Sequence, residues 1–218
     1  MAPRAFLCDF DGTISPHDLG HAFVERYAVG GEARLEALAN AWRAGTLGHR
    51  ELTEAECALL RCSEDEARGF TAGFAIDPGF ALFARGARSR GDAVTVLSEG
   101  FDFYIRALLE REGLGWLEVR SNRVRFERGG VIPEFPYAAL SCGRCGNCKA
   151  AHVRDWRARG YRTVLIGDGY SDRCGAREAD VVLAQGALET WCECEGVAFE
   201  RFTSFEDVLS NPALEALA

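Results

Sequence analysis

The pattern of hydrophobic and polar positions divides the chain into two parts. Residues 5–8 form a short apolar run that predicts a buried strand, and the stretch Asp9-Phe10-Asp11-Gly12-Thr13 follows it directly. From about residue 15 to residue 78, apolar residues instead recur at helical spacing, as they do over 18–28. This second segment is therefore predicted to be helical throughout.

Beyond residue 78 the pattern alternates between helices and short apolar strands. Strands that are separated by helices form parallel sheets with helices packed on both faces. The chain is therefore predicted to have an α/β fold, with a core made of residues 1–14 and 79–218 and an all-helical insertion over 15–78. The later predicted strands are 93–97, 116–119, 163–166 and 180–184, with a hairpin over 122–131, and the later predicted helices are 79–90, 102–112, 148–159, one from residue 171 and one after residue 204.

Three of these strands end in residues with reactive or ligand-forming side chains. Asp9, Ser98 and Asp168 each follow an apolar run directly. Ligands bind at the carboxyl ends of parallel strands, so we expect these residues to lie together. Side chains two residues apart in a strand point to the same side, so we expect Asp9 and Asp11 to share one side. Two buried carboxylates there require a neighbouring positive charge. A hard divalent cation such as Mg²⁺ meets that requirement.

Composition narrows the functions that the chain can have. Its 218 residues carry a net charge of −8, and 48% are hydrophobic, which is typical of a globular protein and not of a nucleic-acid binder. No apolar stretch has the length of a membrane span, and the N-terminal residues lack the apolar region of an export signal. We therefore expect a cytoplasmic protein without a nucleic-acid or membrane partner. Lys149 is the only lysine among 25 basic residues. The ammonium group of lysine is more compact than the planar guanidinium of arginine, so a lysine suits a position where space is tight.

Four segments, in this order, resemble the four motifs of the haloacid dehalogenase superfamily and match the spacing of its phosphatases. The helical insertion between the first two resembles the cap of the phosphoserine-phosphatase-like subgroup. The resemblance implies a Rossmann-like parallel sheet flanked by helices, with an all-helical cap that closes over a small phosphorylated metabolite. The four segments are Asp9-Phe10-Asp11-Gly12-Thr13, Ser98, Lys149 and Gly167-Asp168-Gly169-Tyr170-Ser171-Asp172.

The resemblance also implies the roles of the acidic residues. Asp9 would attack phosphorus and form an aspartyl phosphate, and Asp11 would protonate the leaving alkoxide and later activate water. Mg²⁺ would be held by Asp9, by the backbone carbonyl of Asp11 and by Asp168. Asp172 would orient these ligands through hydrogen bonds.

The phosphate group would be held by the second and third motifs. The Ser98 hydroxyl and the backbone amides of Glu99 and Gly100 would bind phosphate oxygens. Lys149 would neutralise the charge on those oxygens during transfer.

A cysteine-rich segment that runs into Lys149 resembles two groups of these phosphatases. One is the methionine-salvage family acting on 2-hydroxy-3-keto-5-methylthiopentenyl 1-phosphate, which the stretch 98–103 also resembles, and we favour it. The other acts on phosphoethanolamine or phosphocholine. Phosphoserine is disfavoured because Glu54 aligns without gaps with the cap arginine that would bind its carboxylate, although a shifted alignment brings in Arg50. The candidate specificity residues are Asp18, His21 and Phe101.

The state of the cysteines is a separate question. The chain has nine, and three of them follow one another as Cys142, Cys145 and Cys148. Without an export signal a disulfide framework is not expected, so two interpretations stay open: reduced thiols, or a structural site for a metal such as Zn²⁺. Further ligands for such a metal could come from His152, Cys174, Cys192 or Cys194.

Two other hypotheses about function also stay open. A phosphotransferase or mutase could use the same aspartyl phosphate, and a catalytically silent relative could bind a phosphorylated ligand. The presence of both aspartates of the first motif together with Lys149 and Asp168 favours an enzyme. The oligomeric state is left open.

Overall fold

The protein was analysed as a computed structural model that describes residues 3–139 and 142–211. Seven strands form one sheet in the order β4-β3-β2-β1-β5-β6-β7, and all neighbours are parallel except β3 and β4, which are antiparallel. The strands are β1 (Arg4–Cys8), β2 (Ala93–Phe101), β3 (Glu118–Glu127), β4 (Gly130–Glu134), β5 (Arg162–Gly167), β6 (Val181–Ala184) and β7 (Glu200–Arg201).

Helices cover both faces of this sheet, so the predicted α/β fold is confirmed. No helix within the described ranges is long and apolar enough to cross a membrane, and the cytoplasmic location stays a prediction. The helices are α1 (Leu19–Tyr27), α2 (Glu32–Arg43), α3 (His49–Cys57), α4 (Glu64–Phe70), α5 (Pro78–Ser89), α6 (Asp102–Arg111), α7 (Lys149–Ala158), α8 (Arg173–Ala176), α9 (Gly186–Glu195) and α10 (Phe205–Leu209), with 3₁₀ turns at Thr71–Gly73 and Tyr170–Asp172.

Strand β1 lies in the middle of the sheet and connects its two hydrophobic layers. All five of its residues are buried, and their side chains alternate between the faces. Phe6 joins the larger cluster, where its ring lies 5.1 Å from that of Phe83 on α5. Leu7 joins the smaller cluster together with Trp156 of α7. The strand therefore brings the residue after it, Asp9, to a well-anchored edge of the sheet.

Helices α1 to α4 lie between β1 and α5, where the insertion is expected. Several of their buried residues, among them Phe23 of α1 and Cys57 of α3, belong to the same hydrophobic cluster as Phe6. Helix α5 begins at Pro78, and Asp77 caps it by accepting a hydrogen bond from the backbone N–H of Gly79 at 2.7 Å. The division into a core and a cap at residues 15–78 stays a prediction.

Several predicted boundaries are wrong, and strand pairing explains two of the differences. The strand predicted at 116–119 is β3, which begins at Glu118 and extends to Glu127 because it pairs with β4. Strand β2 continues past the predicted end at Leu97 because a register shift keeps Phe101 paired with β3. The helix expected from residue 171 is a 3₁₀ turn followed by the four-residue α8. Helix α9 was not predicted, because only two of its residues are buried and its apolar stripe is weak.

Candidate active site

The first motif lies in a turn at the carboxyl end of β1. The backbone N–H of Asp9 still donates to the carbonyl oxygen of Ile166 on β5 at 2.9 Å, but β1 has already ended. Both aspartates therefore follow the strand and do not belong to it, but they line the same cavity, as expected of two residues on one side. Their carboxylates point to different partners, Asp9 to Lys149 and Asp11 to Tyr104. The two aspartates thus have separate surroundings and can have separate roles.

Lys149 lies at the centre of a buried group of charges. Its Nζ lies 2.7 Å from Asp9 Oδ1 and 2.6 Å from Asp172 Oδ1, and the residue is 1% exposed. Burial by itself would lower the pKa of Lys149, but the carboxylates of Asp172 and Asp9 raise it above its usual value. The ammonium therefore stays charged, and it joins the first motif to the fourth.

Three carboxylates beside this lysine form a group that could hold a metal ion. One oxygen from each of Asp9, Asp168 and Asp172 lies within 4.8 Å of the others. Burial, followed by repulsion from Asp172, raises the pKa of Asp168 to about 6 and raises that of Asp9 well above its usual value. One lysine thus faces three crowded carboxylates. Hard oxygen donors with unbalanced negative charge fit Mg²⁺.

Asp172 shapes the loop that carries Asp168. The side chain is fully buried, and its Oδ2 accepts the backbone N–H groups of Asp168 at 3.2 Å and Gly169 at 3.0 Å. Asp168 itself accepts a hydrogen bond at 2.8 Å from the hydroxyl of Thr13. Gly12 has a φ of +80°, and a Cβ at that position would lie 2.3 Å from Asp168 Oδ2, so only glycine fits there.

The carboxylate of Asp11 is held by three donors. Its Oδ1 accepts the backbone N–H of Leu19 at 2.9 Å, and its Oδ2 accepts the hydroxyls of Tyr104 at 2.9 Å and Ser98 at 3.3 Å. Burial, with a smaller contribution from Asp18, raises the pKa of Asp11 to about 7, although these hydrogen bonds oppose the shift. Asp11 can therefore carry or release a proton near neutral pH, which suits an acid–base group.

Tyr104 is a site residue that sequence reasoning missed. A tyrosine in the first turn of a helix gives no functional signal, because most such aromatic residues belong to the core. Its hydroxyl approaches so closely that a Cβ on Gly100 would lie 1.7 Å from it. Position 100 therefore has to be glycine, because any side chain would take the space of the Tyr104 hydroxyl that donates to Asp11.

The second motif is arranged differently from the sequence-based expectation. The backbone N–H of Gly100 donates to the hydroxyl of Ser98 at 2.9 Å, and that hydroxyl donates to Asp11. The Glu99 side chain is buried, and its Oε1 accepts the N–H groups of Gly146 at 2.8 Å and Asn147 at 3.3 Å. Glu99 thus binds the loop that precedes Lys149.

Glu99 also reaches a helix of the insertion. Its Oε2 lies 3.4 Å from Nδ1 of His49 at the start of α3. The His49 ring packs 5.6 Å from the ring of Trp42 on α2, which in turn lies 5.0 Å from Tyr170 in the fourth motif. His49 was not predicted as a site residue, since a single histidine at a helix start carries no pattern.

A cavity of about 340 Å³ lies between the strand ends and helices α1 to α3. All three candidate specificity residues line it: Asp18 and His21 are exposed, whereas Phe101 is buried. Asp18 also caps α1 by accepting the backbone N–H of His21 at 2.8 Å. Burial, with repulsion from Asp18, raises the pKa of Glu56, another lining residue, to about 7.

The structure gathers the three clustered cysteines, whereas His152, Cys192 and Cys194 lie in other surroundings. Cys174 is exposed on α8, and its pKa is raised by burial and by its neighbours Cys142 and Cys148. The Sγ atoms of Cys142, Cys145 and Cys148 lie within 4.8 Å of one another. The ring nitrogens of His152 are engaged elsewhere, 2.6 Å from Asn147 Oδ1 and 2.9 Å from an Arg120 nitrogen. Cys192 is buried in the smaller hydrophobic cluster, and Cys194 is exposed on α9.

Comparison with known proteins decides the family. Residues 6–177 match the family of haloacid dehalogenase-like hydrolases. The chain belongs to this family. Its predicted class, a phosphoric monoester hydrolase of that superfamily, is thereby confirmed, and the alternative of a catalytically silent relative is not supported.

Several curated relatives of this haloacid dehalogenase-like hydrolase carry the same phosphatase name. A 2-hydroxy-3-keto-5-methylthiopentenyl-1-phosphate phosphatase of Exiguobacterium sp. strain AT1b is 31% identical and aligns over 93% of this chain and 94% of that protein. Pdp3-interacting factor 1 of Schizosaccharomyces pombe is 27% identical over 92% of this chain and 90% of that protein. The predicted resemblance to the salvage-type phosphatases is confirmed, whereas zinc at the cysteines has no support from these relatives.

Solved structures agree with the fold. A phospho-aspartyl intermediate analogue of phosphoserine phosphatase aligns with a TM-score of 0.72 and 19% identity, covering 96% of this chain and 99% of that one. A substrate-bound phosphoserine phosphatase aligns with a TM-score of 0.73 and 18% identity, covering 96% and 98%. The predicted Rossmann-like architecture is therefore that of the phosphoserine phosphatases.

Proposed function

We propose that this protein hydrolyses a small phosphomonoester through a covalent intermediate on Asp9, with Mg²⁺ bound at the carboxylate group. One observation carries the proposal: the Nζ of Lys149 lies 2.7 Å from Asp9 and 2.6 Å from Asp172 at the carboxyl ends of the strands. This arrangement pairs a nucleophilic carboxylate with a fixed positive charge where a phosphoryl group would sit. Residues 15–78 act as the cap over the rest of the substrate.

The two chemical steps use residues of the first motif. An oxygen of Asp9 attacks phosphorus, the bond from phosphorus to the leaving oxygen breaks, and protonated Asp11 gives its proton to that oxygen. Asp11 then accepts a proton from water, which attacks the phosphorus and releases Asp9 and inorganic phosphate. The pKa of Asp11, raised to about 7, supports both halves of this cycle.

Mg²⁺ would be held by Asp9 and Asp168 with the backbone carbonyl of Asp11, and Asp172 would orient Asp168. When bound, such an ion polarises the phosphoryl oxygens and offsets the negative charge of the carboxylates. Lys149 adds a second positive charge for the same oxygens. The Ser98 hydroxyl and the amides of Glu99 and Gly100 would complete the phosphate-binding side. Substrate would compete for the hydroxyl that now donates to Asp11 and for the Gly100 N–H that now donates to Ser98.

The salvage-type substrate, 2-hydroxy-3-keto-5-methylthiopentenyl 1-phosphate, is the first candidate. The names of the curated relatives support it. So does the cavity, because Trp42, Tyr170, Leu52 and Phe101 offer apolar surface for a methylthio tail.

A second candidate is a substrate whose alcohol carries an ammonium group, such as phosphoethanolamine or phosphocholine. Glu56 and Asp18 line the cavity and repel one another, so an ammonium group would relieve the repulsion. Phosphoserine is a weaker variant of this candidate. Arg50 lies outside the cavity lining and pairs with Glu54, although Arg43 does line the cavity and could meet a carboxylate.

Hydrolysis of a substrate panel with and without Mg²⁺ tests the proposal. The panel contains p-nitrophenyl phosphate, the methylthio-enediol phosphate, phosphoethanolamine, phosphocholine and phosphoserine. We expect Mg²⁺-dependent release of phosphate, with the highest kcat/KM for the methylthio compound. Release of phosphate that is unchanged by a chelator would contradict the role of Mg²⁺, and transfer only to an added alcohol would indicate a phosphotransferase.

The substitution Glu56→Gln separates the two substrate candidates. It removes a negative charge from the cavity, so it should lower kcat/KM about tenfold for an ammonium-bearing substrate and leave the methylthio compound within about twofold. Glu54→Gln is the matched control, because Glu54 lies outside the cavity lining and pairs with Arg50. An equal fall in kcat/KM for all substrates would mean that Glu56 supports the fold of the site and does not select an ammonium group.

A further inference from the structure

The cysteine segment between β4 and α7, residues 142–148, has no role in the proposed hydrolysis. We propose that Cys142, Cys145 and Cys148 together bind one Zn²⁺ ion as thiolates. The ion would be structural: it would fix the segment that contacts the helical insertion at one end and leads into Lys149 at the other. The proposal is independent of the chemistry at Asp9.

The positions of the three sulfurs suit a shared ion. They lie within 4.8 Å of one another, and those of Cys142 and Cys145 are 3.4 Å apart. Zinc binds thiolate sulfur at about 2.3 Å, so two sulfurs on a tetrahedral zinc ion lie about 3.8 Å apart. Each sulfur therefore needs to move by only about 1 Å or less to reach a common ion.

The surroundings of the segment favour thiolates and a soft metal. Cys148 is the N-cap residue of α7, and the amino end of a helix stabilises a negative sulfur. Cys142 and Cys145 are partly exposed, so an ion can reach them. Thiolates select zinc over Mg²⁺, which prefers oxygen ligands. Among the described residues, the other metal-capable group of three is the carboxylate group, so the two sites take different ions.

One end of the segment is attached to the insertion. The carbonyl oxygen of Arg144, between the first two cysteines, accepts the backbone N–H of Arg50 at 3.0 Å, and its guanidinium donates to the carbonyl of Gly45 at 2.6 Å. A Cβ on Gly48 would lie only 2.8 Å from that Arg144 oxygen. The segment and the start of α3 therefore touch backbone to backbone.

The other end of the segment supports the phosphate-binding side. The Asn147 side chain donates to the carbonyl oxygens of Ser98 at 2.9 Å and Arg120 at 2.6 Å, and Gly146 donates to Glu99. Lys149 follows Cys148 directly. An ion on the three sulfurs would thus hold Lys149 and the insertion in a fixed relation without contacting substrate.

Metal analysis of the full chain, purified under a thiol reductant and after addition of Zn²⁺, tests the site. We expect about one zinc ion per chain in the wild type and about a tenfold lower content in Cys145→Ser. Cys194→Ser is the matched control, since it removes an exposed thiol on α9 and should keep the full content. Removal of zinc from the wild type should lower the melting temperature by several degrees, and added zinc should restore it.

Cobalt provides a readout that does not depend on stability or activity. The wild type loaded with Co²⁺ should show the charge-transfer absorption of thiolate ligands, and Cys145→Ser should lose most of its intensity. Should Cys145→Ser fail to fold, the spectrum and the metal content of the wild type still show whether the thiolates bind a metal ion. Three results would each overturn the proposal. They are a wild-type protein that contains no zinc, an equal zinc content in Cys145→Ser, and a mass about 2 Da below the expected value, which would report a disulfide among these cysteines. None of these measurements uses phosphatase activity, so failure of the proposed hydrolysis would leave them unchanged.

Discussion

The two walls of the cavity are built in different ways. The sheet wall follows strands such as β1, in which every residue is buried, and its functional side chains each have several partners at hydrogen-bond distance. The helical wall includes α2, in which no residue is fully buried although Ala39, Trp42 and Arg43 line the cavity. A rigid, charged surface therefore faces a looser surface made of aromatic and acidic side chains.

This difference separates two tasks that a phosphatase has to perform. Stabilising a transferring phosphoryl group needs charges that are in place before the reaction, and a buried, hydrogen-bonded wall provides them. Accepting the remainder of a substrate needs shape and polarity that can change without unfolding the protein, and a half-exposed helix allows this. Substitutions on the sheet wall should therefore affect rate and stability strongly, and those on the helical wall should affect mainly KM.

The largest effect is expected at the nucleophile. Asp9→Asn keeps the size of the side chain but removes its nucleophilic oxygen, so kcat on p-nitrophenyl phosphate should fall by at least ~10³-fold. Asp18→Asn, on the helical wall, is the control and should stay within about tenfold. Circular dichroism would verify the fold of both variants. Full turnover in Asp9→Asn would show that another residue attacks phosphorus.

Lys149→Met should weaken both stability and catalysis. It leaves the buried carboxylates of Asp9 and Asp172 without their positive partner, which should cost about 3–5 kcal/mol of unfolding free energy and at least ~10²-fold in kcat/KM. Urea denaturation and steady-state kinetics would measure the two losses. Arg157→Met on the same helix removes an exposed charge and should cost less than about 1 kcal/mol. Equal losses in the two variants would contradict the central place of Lys149.

His152 should make the stability of the sheet wall depend on acid pH. Burial, followed by repulsion from Arg120, lowers the pKa of His152 from 6.5 to about 4. Because the unfolded chain takes up the proton first, the contribution of His152 to the unfolding free energy should be constant well above pH 6.5 and fall by about 3 kcal/mol as the pH drops towards 4, whereas the raised pKa values of Asp11 and Asp168 contribute in the opposite direction.

His152→Gln should show a smaller loss over this interval in urea titrations at each pH. His21→Gln, which changes an exposed residue of the helical wall, should keep the slope of the parent protein. A slope that is the same in all three proteins would assign the acid sensitivity to other groups.

The smallest effect is expected at Trp42, whose ring packs against Tyr170 and His49. Trp42→Ala should raise KM for the preferred substrate about three- to tenfold and leave kcat on p-nitrophenyl phosphate within about twofold, because the residue belongs to the helical wall and carries no charged or nucleophilic group. Trp116→Ala is the matched control, as that residue is 39% exposed and does not line the cavity. A large fall in kcat would show that the helical wall also sets the chemistry.

Local pattern was sufficient for elements with a clear apolar run or stripe. Strand β1 and helix α5 lie where they were predicted, to within a residue or two, because an apolar run marks the strand and helical periodicity marks the helix, although Leu82 of α5 is 64% exposed. The candidate site residues could be predicted because a short spacing, such as that of Asp9 and Asp11, indicates chemistry by itself. The start and length of β3 were not found because its pairing with β4 decides them, and helix α9 was not found because its apolar stripe is weak.

The sequence by itself determined the α/β class and the family, and it supplied the residues that are proposed to carry the phosphoryl chemistry, since these depend on spacing within short segments. Only the tertiary structure decided how those segments meet. The hydroxyl of Tyr104 reaches Asp11 across 93 positions of the chain, and Glu99 reaches Asn147 across 48. Such contacts depend on the crossing of strands and helices in space, and no local pattern of hydrophobic and polar residues encodes them.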